Sequence, residues 1–321
     1  MANEISTSSI ASVTNASLVE PVIILALSEQ PGLAIKFCRE FNGIGKASAA
    51  LKIPTQTSYW GVPSLTEHGA GVATAFNGTE AVGLANTGAT TSSVTITAAE
   101  YGVAHSLTDN VNEDAALDAM ELMNLFTSTM LRVLTLALDD DYVALFASLS
   151  NTSGVTNTTL TVASMLDAQQ KIRIRGTNAD GVAYILDNKA TLDLESAVSA
   201  ASTSMAVYAL ATDRLIGYAP TSNQGMGPTR QIMQFRGYPV FATGLTDNAN
   251  GTTDVVSACV CPTSQYNDAA GATTHALMWK RLPRFETQRQ AKGRAIDLVM
   301  TMRAGLATLQ NGSGQQILSK A

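Results

Sequence analysis

The feature that most constrains this chain is a stretch without proline or glycine, running from Glu113 to Leu149 and dense in Leu, Met, Ala and Phe. The residues that break or loosen a helix are missing there, so continuous helix is favoured. Asn110 followed by Glu113 forms a capping-box pattern, and Glu113, Asp114 and Asp118 place negative charge where the helix dipole favours it. A helix from about Asn112 to Leu149 holds roughly 38 residues and, at about 1.5 Å each, reaches about 57 Å. Such a rod outruns a typical small domain, and must act as a strut or lie across a flat molecule. Its apolar residues (Leu117, Met120, Met123, Phe126, Met130, Val133 and onward) drift around the rod instead of keeping heptads. That predicts a buried spine, not a coiled coil.

Strands flank the rod. Thr91 to Ala98 alternates, with Val94, Ile96 and Ala98 on one face, and a second strand is predicted from Tyr101 to about Leu107. Downstream, Thr161 to Arg175 reads as an amphipathic helix, Val182 to Leu186 as a buried strand ending at Asp187, and Lys189 to Ala200 as another helix. Short strands are predicted at Tyr238 to Thr243 and Asp254 to Cys261, and a long half-buried one at Ile296 to Met302. The fold class is α+β. Upstream, Met1 to about Ser17 reads as an extended arm, and Ile53 to Ala89, rich in Gly, Thr, Pro and Ala, as a long loop or hairpin. Loops of that length inside a compact domain usually do a job.

At 321 residues the chain has ample material for a core, and 45% hydrophobic content excludes wholesale disorder. Only 14% of residues are charged, against roughly 25% in average soluble proteins. A freely soluble monomer usually keeps more charge, so the composition predicts a surface partly covered by further copies of the chain. A net charge of −6 argues against a free basic surface that grips nucleic acid. No segment is predicted to span a membrane or to act as a signal peptide, and three cysteines fit a reducing, cytoplasmic place of synthesis.

The catalytic motifs fail one by one. Gly43-Ile44-Gly45-Lys46 has glycines too close together for a phosphate-binding loop, and Ala47 stands where Ser or Thr is required, so it reads as a turn. Cys259 and Cys261 share one strand face with no second ligand pair nearby, and read as core thiols. His68, His105 and His275 are scattered and read as structural. Asp139-Asp140-Asp141 fan out around a helix and cannot converge on one ion; they read as a solvated or subunit-facing edge. No catalytic, cofactor-binding or metal-binding residue is assigned, and an enzyme with an unrecognised α+β fold is the alternative of another class.

Charge placement is more informative. No Lys or Arg lies between Lys52 and Arg132, while eight acids do, among them Glu67, Glu80, Glu100 and Asp109. Conversely, Lys280, Arg281, Arg284, Arg289, Lys292, Arg294 and Arg303 crowd a late segment opposed only by Glu286 and Asp297. Two unrelated solvent faces would explain this. The sharper reading lays the acidic loop of one copy on the basic segment of the next, with Glu67, Glu80, Arg284 and Arg294 as candidate contacts.

The order of these elements resembles a known family. An arm and a long Gly/Thr-rich loop precede AEYGVAHSLTDNVNEDAALDAM; then come a very long helix ending in DDDYVALF, the run DAQQKIRIRG–VAYILDN–ATLDL, GYPVFAT, and the late strand IDLVMTMRAG. This resembles the major capsid proteins of tailed double-stranded DNA bacteriophages with the HK97 fold. The resemblance implies an N-terminal arm and short helix over 1–53 and an E-loop over 54–91. It further implies P-domain strands and spine helix over 92–160, an A-domain over 161–289, and a returning P-domain strand and C-terminus over 290–321. It implies a non-enzymatic shell protein that self-assembles into hexamers and pentamers of an icosahedral head around double-stranded DNA, without sequence-specific binding.

An encapsulin-like cellular compartment is the alternative on the same fold. The expected place is the virion capsid, assembled in the host bacterial cytoplasm, with a separate scaffolding protein, a portal and cement or decoration proteins as partners. Some family members weld their shells through a loop lysine; the segment 54–91 has none, which predicts a non-covalent or cemented shell. The short stretch before the loop predicts that scaffolding is a separate protein or absent, not a fused domain.

Overall fold

A computed structural model of the chain describes residues 32–56, 91–109, 119–174, 182–203, 216–218, 231–235, 238–245, 254–261 and 273–320. The chain enters through a single helical turn, α1 (Leu33–Phe37), and strand β1 (Arg39–Asn42). A two-stranded ribbon follows, β2 (Ala50–Gln56) against β3 (Thr91–Thr97), and then β4 (Ala99–Thr108). The expected rod is present: its described part, α2 (Ala119–Ala144), runs into a 3-10 turn at Leu145–Ser148. The part predicted over 112–118 lies outside the described residues.

Two further sheets organise the rest. Four strands lie in the order β1-β11-β12-β4, where β11 is His275–Gln290 and β12 is Ala295–Thr308. Seven strands lie in the order β5-β13-β10-β6-β9-β8-β7, namely Thr152–Gly154, Gln315–Lys320, Asp254–Val260, Ala183–Asp187, Tyr238–Thr243, Gln231–Phe235 and Ile216–Tyr218. Helices α3 (Val162–Ile174) and α4 (Asn188–Thr203) complete the chain. Among the described residues no helix is long and apolar enough to cross a membrane.

The unbroken apolar run of β6 has a physical cause: both of its faces are covered. Val182, Tyr184 and Leu186 enter one core with Met165, Ala168 and Ile172 of α3 and Ala190 and Leu194 of α4. Ala183 and Ile185 enter the other, with Leu134, Leu138 and Tyr142 of α2, Leu33 and Phe37 of α1, and Leu298 and Met300 of β12. Cys259 and Cys261 point together into the first core, as their two-residue spacing requires, and burial pushes both thiols up, Cys261 to about 12.

The ribbon crosses β12 at very close range. A Cβ on Gly305 would lie 2.4 Å from the Thr97 carbonyl oxygen, so only glycine fits the crossing. Below the crossing, Ile53 and Ile96 bury against Ala276 and Met278.

Sheet membership runs across the expected division at residue 289. β11 pairs with β12 along nearly its whole length, and both lie in the sheet that holds β4. Residues 275–289 therefore belong with the strands around the long helix, whereas β13, near the C-terminus, joins the seven-stranded sheet through β10. The signal was hidden by charge: Pro283 and Phe285 are buried between exposed Leu282, Arg284 and Glu286, which is a strand alternation inside what reads as a basic segment. The register shifts between Trp279 and Arg284, around Pro283, which has no amide hydrogen to give to the ladder.

Candidate assembly surface

The four-stranded sheet has two unlike faces. Tyr101, Val103 and Leu107 of β4, Leu298 and Met300 of β12 and Phe285 of β11 turn toward the long helix; His105 packs edge-on against Phe126 there, and the Tyr101 hydroxyl donates to Asp141. The opposite face carries Glu100, Ser106, Asp297, Thr301, Arg303, Arg281, Arg284 and Glu286, which alternate with the buried set. This is the exposed polar surface on which the candidate residues can be judged.

Its charges are largely answered within the chain. Arg281 Nη2 donates to Glu100 Oε1 at 2.7 Å and to Thr301 Oγ1 at 3.1 Å. Arg289 grips both oxygens of Asp109, at 2.6 and 2.8 Å, and those bonds hold the Asp109 carboxyl below the usual carboxylate range. Asp297 accepts from Ser106 and from Gln290. Lys280 reaches back to the loop after β1 and donates to the carbonyls of Gly43, Lys46 and Ser48. The Gly43–Lys46 turn thus turns carbonyls toward an ammonium, opposite in polarity to the amide nest a phosphate needs.

Of the four candidate contacts, Glu67 and Glu80 lie outside the described residues. Arg284 sits mid-strand on the polar face, paired with Glu286 at 3.3 Å, both side chains about 60% exposed. Arg294 closes the four-residue turn between β11 and β12 in a left-handed conformation, φ 46°, and its carbonyl accepts from the Asp109 amide. About six residue steps along β12 separate the two, roughly 20 Å at strand spacing, so they form no single cluster. Arg294 and its neighbour Lys292 make no side-chain hydrogen bond or ion pair among the described residues, although the Asp109 carboxylate bears on Arg294, so the hairpin tip is a loosely held cationic point of this surface.

Two buried polar groups were not legible as such. Asp139 is no solvated edge: it is fully buried, and its Oδ1 accepts from the Ala34 amide at 2.9 Å where α1 begins. A Cβ on Gly32 would meet that oxygen at 2.7 Å. Asp140 is exposed, as expected. His275 stands fully buried against the rings of Tyr142 and Phe146, and burial lowers its basicity to about 3, so it is neutral. Neither of its ring nitrogens has a hydrogen-bond partner among the described residues. Among those residues no group of His, Cys, Asp and Glu could hold a metal. His68 lies outside them.

No family model matches the chain, and no curated protein matches its sequence. Solved structures do match its fold. It is similar to the mature capsid of bacteriophage PhiM1, at 8% identity and TM-score 0.57, over 90% of this chain and 87% of that one. It is similar to the capsid of cyanophage Pam1, at 13% identity and TM-score 0.55, over 86% of each chain. A third likeness is to the SrpI encapsulin of Synechococcus elongatus, at 7% identity and TM-score 0.53, over 87% of this chain and 84% of that one. The chain therefore has the HK97-like capsid fold, an α+β architecture spread over nearly its whole length. The structures it resembles are described as capsids and an encapsulin complex.

Proposed function

We propose that this chain is the major capsid protein of a tailed double-stranded DNA bacteriophage, a structural subunit that assembles with itself into hexamers and pentamers of an icosahedral head. The observation that carries this reading is agreement in fold with phage capsids across about nine-tenths of both chains. The low charge fraction and the exposed polar sheet face support it, because a tile covered by its neighbours needs little charge of its own. No catalytic role is assigned.

In this reading residues 1–53 form the arm with its short helix, and 54–91 the E-loop. The P-domain comprises β4, the long helix and the β11–β12 hairpin, and the A-domain the seven-stranded sheet with α3 and α4. The acidic loop of one copy, through Glu67 and Glu80, lies on the basic hairpin of the next, where Arg294 makes no ion pair among the described residues and Arg284 is weakly held. Separate scaffolding, portal and cement proteins complete the head, which is assembled in the bacterial cytoplasm. The packaged DNA meets no sequence-specific site, and no isopeptide weld joins the subunits.

Electron microscopy of the purified chain, or of the particle it comes from, tests the proposal. Closed polyhedral shells support it; discrete small oligomers at every concentration overturn it. Particles filled with a protein cargo in place of DNA would move the chain to the encapsulin reading.

A further inference from the structure

Where α1 meets the long helix, the chain buries a carboxylate without a counter-charge. Asp139 is fully buried; its Oδ1 accepts from the Ala34 amide, the Leu33 amide also bears on the carboxyl, and Oδ2 has no hydrogen-bond partner among the described residues. From the segment Gly32–Cys38 it faces the Gly32 backbone, the amides at the start of α1 and the Cys38 thiol. From its own helix it faces Tyr142 and the methyl-bearing side of Thr135, which also approaches Gly32. His275, stacked on Tyr142, is neutral. Lys36, the cation of α1, holds its Nζ 4.2 Å from the Phe241 ring centre, and Glu40 bears on Cys38 with negative charge. The Ala34 and Leu33 amides favour the ionised form in part, but burial outweighs them, and no cation among the described residues faces the carboxyl.

We propose that Asp139 is a proton-controlled latch: the segment Gly32–Cys38 docks more firmly on the long helix when the carboxyl is protonated than when it is charged. The apolar part of the dock, Leu33, Ala34, Phe37 and Cys38, is nearly inaccessible, and its burial supplies most of the hold. The proton modulates this hold, because an uncompensated buried charge is costly and a neutral carboxyl is not. Burial raises the Asp139 carboxyl to about 6, from 3.8. A carboxyl raised on docking takes up a proton when the segment docks. Docking therefore strengthens as pH falls through 6 and is weakest above it, a change of roughly tenfold between pH 7.5 and pH 5.

The inference does not depend on the assembly reading, since it can be tested on full-length chain, assembled or not. Hydrogen exchange of the amides of residues 33–38, corrected for the intrinsic pH dependence of exchange, reads the dock directly. The expected result is roughly tenfold greater protection at pH 5 than at pH 7.5, with the difference abolished in Asp139→Asn. Protection that is flat across this range, or a pH response that survives in Asp139→Asn, overturns the latch. Should Asp139→Asn fail to fold, infrared titration of the wild-type chain decides: a carboxylic C=O band fading near pH 6 supports the latch, and complete ionisation of all carboxyls by pH 5 overturns it.

Discussion

Arg289 holds Asp109 through two parallel hydrogen bonds of 2.6 and 2.8 Å, and the Asp109 amide in turn donates to the carbonyl of Arg294. One acidic residue thus ties the end of β4 to both sides of the β11–β12 turn. Bidentate geometry resists rotation in a way a single contact does not. Replacing Arg289 with Ala should leave the fold intact and loosen the tip: amide exchange over residues 290–295 should rise several-fold while that of 296–302 stays unchanged. Equal exchange in the two proteins would show that the pair does no positioning.

Two glycines on neighbouring strands give a matched test of the ribbon crossing. Gly305→Ala would drive a Cβ to 2.4 Å from a backbone oxygen that cannot yield, whereas Gly102→Ala would meet only ordinary contact, 3.5 Å from a Thr301 methyl. Gly305→Ala should cost about 1–3 kcal/mol, measured by denaturant midpoint, as overpacking does elsewhere. Gly102→Ala should change little.

His275 sets an acid limit. Its basicity is lowered to about 3 in the fold by burial, against 6.5 for the free side chain. The folded chain therefore binds fewer protons than the unfolded one between these values. The stability is fully present above pH 6.5 and declines as pH falls toward 3. At pH 4.5 the loss is about 2–3 kcal/mol, and His275→Phe, which also removes two unpartnered nitrogens, should flatten that part of the stability–pH curve. A curve unchanged by the substitution would place the acid sensitivity elsewhere. Asp139 works in the opposite direction, so mild acid should tighten the start of the chain before stronger acid loosens the core.

Cys38, Cys259 and Cys261 are all buried, and burial raises all three thiols. Native chain should resist a thiol reagent at pH 8 and react fully once denatured, with the count read by mass spectrometry. Rapid labelling of the folded chain would contradict the placement of these residues.

Reversing charge at Arg294 to Glu should impair assembly more than reversing Arg284, because Arg284 is ion-paired with Glu286 at 3.3 Å, whereas Arg294 makes no ion pair among the described residues and feels only the field of Asp109, which Arg289 already holds. Paired reversal with Glu67 or Glu80 should restore shells in part. Normal particle yield from both single reversals would end the complementary-charge proposal.

Much of this architecture is written in periodicity. The helix through Leu134, Leu138 and Tyr142, the strand through Leu298, Met300 and Met302 and the shared face of Cys259 and Cys261 all follow from the spacing of apolar residues, because burial there has one dominant direction. β11 was not legible as part of the same sheet. Two of its buried positions, Pro283 and Phe285, lie beside cations that invite a reading by charge, and a proline argues locally against a strand. Asp139 was illegible for another reason. Helical position alone sets it next to two other acids, and only the arrival of α1, more than a hundred residues away in sequence, decides that it is covered.

The three carbonyls gathered by Lys280 have a mechanical consequence. They belong to the loop that carries the chain from β1 to the ribbon, and one ammonium stitches that loop to the middle of β11. The base of the ribbon is thus a bracket bolted to its mounting rather than a flap on a hinge, so it leaves the body at a bearing that this one ammonium helps to set.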